Sequence, residues 1–364
     1  MGVSQVAGAG MMTNLRLRGR GLWMRMCPAE WEWWWAVWVV VVSLQLGGPP
    51  SAAHAQSAPA SHVLIVTGTA GEPRFAEAFA QSARTIRDAA LGTGTVPAAN
   101  VRVLSGSASM RDADGRATRE VLQAELQALV ARSSAGDAVA IVLIGHGSAG
   151  DAPRFNLTGP DVDASEFALW LRPLQGRRLT VVIAASASGE WIPALAAPGR
   201  VVMSATKTAF ERNESIFHSY FAAAFRDAAG DADHDGRVSM LEAFQYANRE
   251  VERSYEADGR LRTENAVLDD VGDGKGSSAP SATDDHGRLA ARVFLGADPA
   301  ASRAMAHPQA DSLLRRRAQV EQAIDALRAR RSELGTAEYE RQLEALITEL
   351  AEIRRRLEPP ETGP

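Results

Sequence analysis

The sequence predicts an α/β fold in three layers, with a mostly parallel sheet between two layers of helix. Two observations predict it. Short apolar runs of strand length recur along the chain, and amphipathic stretches of helical length separate them. Strands buried on both faces read as continuous Val/Ile/Leu runs, and strands alternating with helices imply a parallel sheet with right-handed crossovers.

The first run, residues 62–68 (HVLIVTG), reads as a buried strand. Residues 73–90 follow as a helix with Phe75, Phe79, Ala83 and Ile86 on one face. Residues 101–106 (VRVLSG) are the next strand, and a helix from about Thr118 carries Val121, Leu122, Leu126 and Val130. The strand 138–144 stops at Gly145-His146-Gly147-Ser148, and in open α/β sheets the carboxyl ends of strands are where ligand sites gather. A turn histidine beside flexible glycines is the plainer reading of the same residues. A further helix begins at Asp163, with Glu166 three residues on in the pattern of a capping box. Residues 178–190 (RLTVVIAASASGE) and 200–206 (RVVMSAT) complete the strands of the α/β domain, which spans 61–228.

Beyond the sheet the character changes. Residues 214–257 read as two helices around an acidic loop, 231–242 (DADHDGRVSMLE), which matches an EF-hand calcium loop. Asp231, Asp233 and Asp235 occupy positions 1, 3 and 5, and Gly236 stands at the sharp turn. Arg237 offers its backbone carbonyl, Ser239 stands at position 9, and Glu242 supplies the bidentate carboxylate. Hard oxygen donors at these intervals suit Ca2+. Residues 269–277 (DDVGDGKGS) repeat the pattern weakly, with Val271 at a ligand position, and read as a turn. The stretch 258–300 reads as a mobile acidic and glycine-rich segment, with 289–296 (LAARVFLG) adding an edge strand. From 311 to 358 a 4-3 apolar spacing (Leu313, Val320, Ile324, Leu327, Leu334, then Tyr339, Leu343, Leu346, Leu350, Ile353, Leu357) predicts a helical hairpin or coiled coil through which the chain self-associates. Gly335-Thr336 breaks it in the middle.

The first 55 residues read as a secretory signal peptide. Arg16, Arg18, Arg20 and Arg25 precede an apolar block, and Ala53-His54-Ala55 forms an A-x-A cleavage pattern. The block is shorter than a spanning helix needs, so no lasting membrane span is expected, and the protein is expected outside the cytoplasm. The one cysteine, Cys27, lies in this leader, so the exported chain has neither thiol nor disulfide. Setting the four leader arginines aside leaves 35 of 39 basic residues, and setting Glu30 and Glu32 aside leaves 42 of 44 acidic ones, a net charge of −7 with histidines neutral. That balance argues against a nucleic-acid partner.

A strand ending in His-Gly, followed by one ending in Ala185-Ser186-Ala187-Ser188-Gly189, resembles the legumain-like and caspase-like cysteine peptidases, in which the second strand ends in a small residue, Cys, x, Ser-Gly. Residues 154–167 (RFNLTGPDVDASEF) and 200–215 (RVVMSATKTAFERNES) also look like bacterial members of the legumain family, and the likeness covers about 61–257. The resemblance implies a caspase-like α/β sheet and action on peptides or proteins. Carried over by position, His146 takes the general-base place, Gly147 the backbone amide that helps hold an oxyanion, and Ser186 the nucleophile place, with Ser188 the weaker candidate. The family has cysteine at that place. A thiol ionises near neutral pH, whereas a serine hydroxyl must lose its proton during attack and wants a base oriented by a third group. The leading expectation is therefore a calcium-binding peptidase homologue with impaired catalysis. An active Ser186/His146 dyad and a non-enzymatic partner-binding scaffold stand beside it.

Overall fold

The computed structural model describes residues 59–296 and, with gaps between 313 and 334, the C-terminal stretch to 357. The stretch expected to be a leader, residues 1–55, and the one expected to be a linker, 297–310, lie outside the described residues. Seven strands form one sheet in the order β10-β9-β8-β4-β1-β2-β3. They are β1 (Ser61–Thr67), β2 (Val101–Ser105), β3 (Gly115–Arg116), β4 (Ala138–Gly145), β8 (Arg178–Ala185), β9 (Val201–Ser204) and β10 (Val267–Asp269). Every neighbouring pair is parallel except β9 with β10. A smaller antiparallel sheet, β5 (Gly147–Ala149), β6 (Pro153–Phe155) and β7 (Val162–Asp163), leaves the carboxyl end of β4.

Alternation along each strand divides the core in two. In β4, Ala140, Val142 and Ile144 face one apolar cluster, while Val139, Ile141 and Leu143 face another. The first cluster is closed by α1 (Pro73–Gly92), α5 (Phe217–Ala224) and α6 (Met240–Ala257), the second by α2 (Arg119–Arg132), α3 (Ala164–Leu171) and the short α4 (Trp191–Leu195). The result is a three-layer α/β arrangement. On α2 the buried face is Leu122, Leu126 and Leu129, and Val121, expected to be buried, is 38% exposed. A helix covers a face somewhat over 100° wide, and Val121 falls just outside it.

Two expectations after the sheet are corrected. Residues 289–296 do not form its edge strand. They make a short 3-10 turn (Ala290–Arg292), and Phe294 then bridges Ser239 antiparallel, with the Met240 N–H donating to the Val293 carbonyl at 2.7 Å. The edge belongs instead to β10, whose Val267 and Leu268 are buried against β9. The stretch 269–288, read as mobile, is fastened by two buried carboxylates. Asp269 accepts the N–H groups of Val271, Gly272 and Gly274, and Asp270 those of Gly287, Leu289 and Ala290. A polar composition therefore coexists with fixed backbone, because the carboxylates satisfy amides that would otherwise favour water.

In the C-terminal stretch the described residues between 313 and 327 are helical and α7 spans Thr336–Leu357. Val320, Ile324 and Ile353 are buried together, with Leu313, Leu343, Leu346 and Leu350 against them, and Arg316 pairs with Glu349. Among the described residues no helix is long and apolar enough to cross a membrane.

Candidate functional site

Strands β4 and β8 run in register, Gly145 beside Ala185, so the next residues, His146 and Ser186, emerge side by side at the carboxyl edge of the sheet. Gly147 is required by closeness. A Cβ there would stand 2.3 Å from the Ser186 carbonyl oxygen and 3.0 Å from that of Arg154. After Ser186 the chain turns sharply through Ala187, a non-glycine residue at φ 51°, whose N–H donates to the Glu211 carbonyl at 2.8 Å.

The polar groups of this corner are committed to the backbone. The Ser186 hydroxyl donates to the Gly147 carbonyl at 3.3 Å and accepts from the Gly147 N–H at 3.2 Å, and the residue is only 3% exposed. The His146 ring is half-buried, its Nε2 3.3 Å from the Ala70 carbonyl, with Phe75 and Phe79 of α1 edge-on at 5.0 and 5.2 Å between centroids. No hydrogen bond joins His146 to Ser186. Ser188 is more deeply enclosed. Its hydroxyl donates to the Ala185 carbonyl at 2.7 Å and meets the Ser204 and Thr206 hydroxyls at 2.9 and 3.2 Å.

Chemically, the corner brings a base and a hydroxyl to adjacent strand ends but links neither to the other. The Gly147 amide that would hold an oxyanion is spent on Ser186, and the ring of His146 is oriented by a carbonyl rather than a carboxylate. Sequence reasoning missed His218, on α5, which stands edge-on across Phe79 at 5.1 Å, so that the two imidazoles bracket one phenyl ring. Burial, and secondarily the charge of His146, pushes the His218 ring down to about 4, leaving it neutral, with Nδ1 2.9 Å from the Ser82 hydroxyl. An isolated histidine in an apolar helix carries no signal of this in the sequence.

The acidic loop lies between a 3-10 turn at Ala228–Gly230 and α6. Asp231, Asp233 and Asp235 each bring a carboxylate oxygen within 4.8 Å of the others. His234 and Gly236 take φ of 58° and 85°, which curls the backbone around them. The curl is held by amides, as the Asp235 and Gly236 N–H groups donate to Asp231 and the Arg237 N–H donates to Asp235. Burial, then repulsion from Asp233, raises the Asp235 carboxyl above its ordinary value. Glu242 stands opposite. Its Oε1 accepts from Ala232 and Asp233, its Oε2 from Ser239, and the Ser239 hydroxyl accepts from the Glu242 N–H, closing a capping box on α6. The three aspartates thus fit a divalent cation, and Glu242 lies outside their cluster, occupied with backbone amides. The Arg237 guanidinium stacks 3.4 Å from the Phe294 ring centroid.

No protein-family model matches this chain, and no curated protein matches it.

Proposed function

We propose that this chain is an exported, calcium-binding homologue of the legumain-like and caspase-like peptidases that has lost peptidase catalysis and acts by binding a peptide or protein partner. The single observation that supports it most is the Ser186 hydroxyl, which both donates to and accepts from Gly147 while His146 turns to Ala70. A serine held in this way has no base to take its proton during attack, and base removal alone costs serine hydrolases several orders of magnitude. Strand ends bearing a small residue, a hydroxyl and a glycine then serve as a shaped surface rather than a nucleophile. Calcium would be held by Asp231, Asp233, Asp235 and the Arg237 carbonyl, with Glu242 joining as the bidentate ligand by giving up the Ala232 and Asp233 amides, and would supply the charge that offsets their mutual repulsion.

The test is hydrolysis of a peptide library by the wild type and by Ser186→Ala. Equal background in both is expected, and turnover that disappears in Ser186→Ala would establish the active dyad instead. Ser186→Cys gives an independent readout. On this reading the introduced thiol of the leaderless chain is alkylated no faster than a buried thiol, because His146 is not aimed at it.

A further inference from the structure

We propose that Asp269, Asp273 and His286 form a second divalent-cation site, of the mixed nitrogen and oxygen type that suits zinc, built from residues unrelated to the calcium loop. One donor atom from each of the three lies within 4.8 Å of the other two. The His286 ring is the key to the assignment. Its Nδ1 is buried without a hydrogen-bond partner, 3.8 Å from Asp269 Oδ1 and 4.0 Å from Asp270 Oδ1, while its Nε2 is 3.9 Å from Asp273 Oδ1. These separations are too long for hydrogen bonds. One imidazole ligates an ion through one nitrogen, and the Nδ1–Asp269 separation matches two donors sharing an ion, since ligands about 2.0–2.2 Å from zinc can stand up to roughly 4.3 Å apart; Asp273 completes the cluster from the solvent side.

The surroundings hold these groups in place. The Asp269 side chain is 1% exposed, and three backbone N–H groups occupy three of its roughly four lone-pair positions, leaving acceptor capacity beside the ring. The backbone next to His286 is pinned by the Gly287 N–H donating to Asp270 at 2.8 Å and by the Ser281 N–H donating to the His286 carbonyl at 2.9 Å. Asp273, at 45% side-chain exposure, forms the solvent side and receives the Lys275 N–H at 2.8 Å. An imidazole with carboxylates selects zinc-like ions over calcium, which prefers six to eight oxygens.

The experiment is zinc titration of metal-stripped protein in saturating calcium, read by calorimetry and by the X-ray absorption spectrum of the bound zinc. One zinc per chain is expected, with an imidazole in its shell. His286→Ala should lose it and Asp273→Asn should weaken it roughly tenfold or more, while Glu242→Gln, in the calcium loop, should keep it. Asp273 is half-exposed, so that variant decides the matter if His286→Ala misfolds. No zinc uptake, uptake unchanged in Asp273→Asn, displacement by calcium, or a shell of oxygens alone would each overturn the proposal.

Discussion

Ala187 is fully buried at φ 51°, a backbone region that costs a non-glycine residue on the order of 1–3 kcal/mol. It directly follows Ser186, so the strain sits at the turn that lifts the serine off β8. Ala187→Val should destabilise by about 2 kcal/mol or more in urea denaturation, because a β-branched side chain resists both the φ and the packing. His218 gives the pH prediction. Its folded-state value is depressed, chiefly by burial, so the unfolded chain takes up its proton first as pH falls. Its contribution is therefore intact above about 6.5 and is lost progressively as pH drops toward about 4, by about 3 kcal/mol at most. Denaturation curves measured across that window should show the loss, and His218→Gln should flatten it. A slope unchanged in the variant would assign the effect to another group.

At the scale of elements, Glu242 and Asp270 do comparable work with backbone amides. Removing Asp270 leaves the N–H groups of Gly287, Leu289 and Ala290 without an acceptor in a site only 5% exposed, so Asp270→Ala should cost about 2–3 kcal/mol or more in the same assay. The loop at 231–242 should behave as a folding ligand site. Calcium at about ten times Kd stabilises by about 1.4 kcal/mol, read as a rise in Tm that chelator reverses. Glu242→Gln should lose most of that rise, and Ser186→Ala should keep it. Equal chelator effects in wild type and Glu242→Gln would remove Glu242 from the ligand set. The convergence of Asp231, Asp233 and Asp235 was legible because their alternate spacing is written in sequence order. The dual duty of Glu242, capping α6 and closing the loop, was visible only as Ser239-x-x-Glu242, a pattern already assigned to metal. Likewise Asp163 caps α3 as its position predicts, accepting the Glu166 N–H at 2.8 Å, while the Glu166 carboxylate turns away to Arg119.

Across the molecule, the short strands β3, β5, β6 and β7 carry no apolar run and gave no signal, whereas β1, β2, β4, β8 and β9 were legible from theirs, and the strand-end places of His146 and Ser186 came with the family resemblance. The edge was not legible. β10 is three residues long and opens into two aspartates, so composition reads it as loop, whereas Leu289 to Gly296 is apolar enough to imitate a strand yet pairs with the acidic loop through Ser239. The C-terminal helical residues bury Val320, Ile324 and Ile353 in a cluster of their own, separate from the two that flank the sheet. Deleting residues 311–364 should therefore leave the calorimetric Tm of the α/β core within a few degrees of wild type. A sedimentation coefficient that still reports an oligomer after the deletion would place self-association elsewhere.

The two ends of the large sheet share one property. β3 is two residues long and β10 three, and β10 runs against its neighbour. An exposed row of unpaired amides and carbonyls is a template on which a foreign strand can grow, and shortening it is the simplest defence. Five strands of almost continuous Val, Ile and Leu would otherwise be an aggregation hazard wherever this chain is concentrated. With both borders cut to a few residues, the sheet offers no length for a strand to lie along, and any partner must be met by side chains.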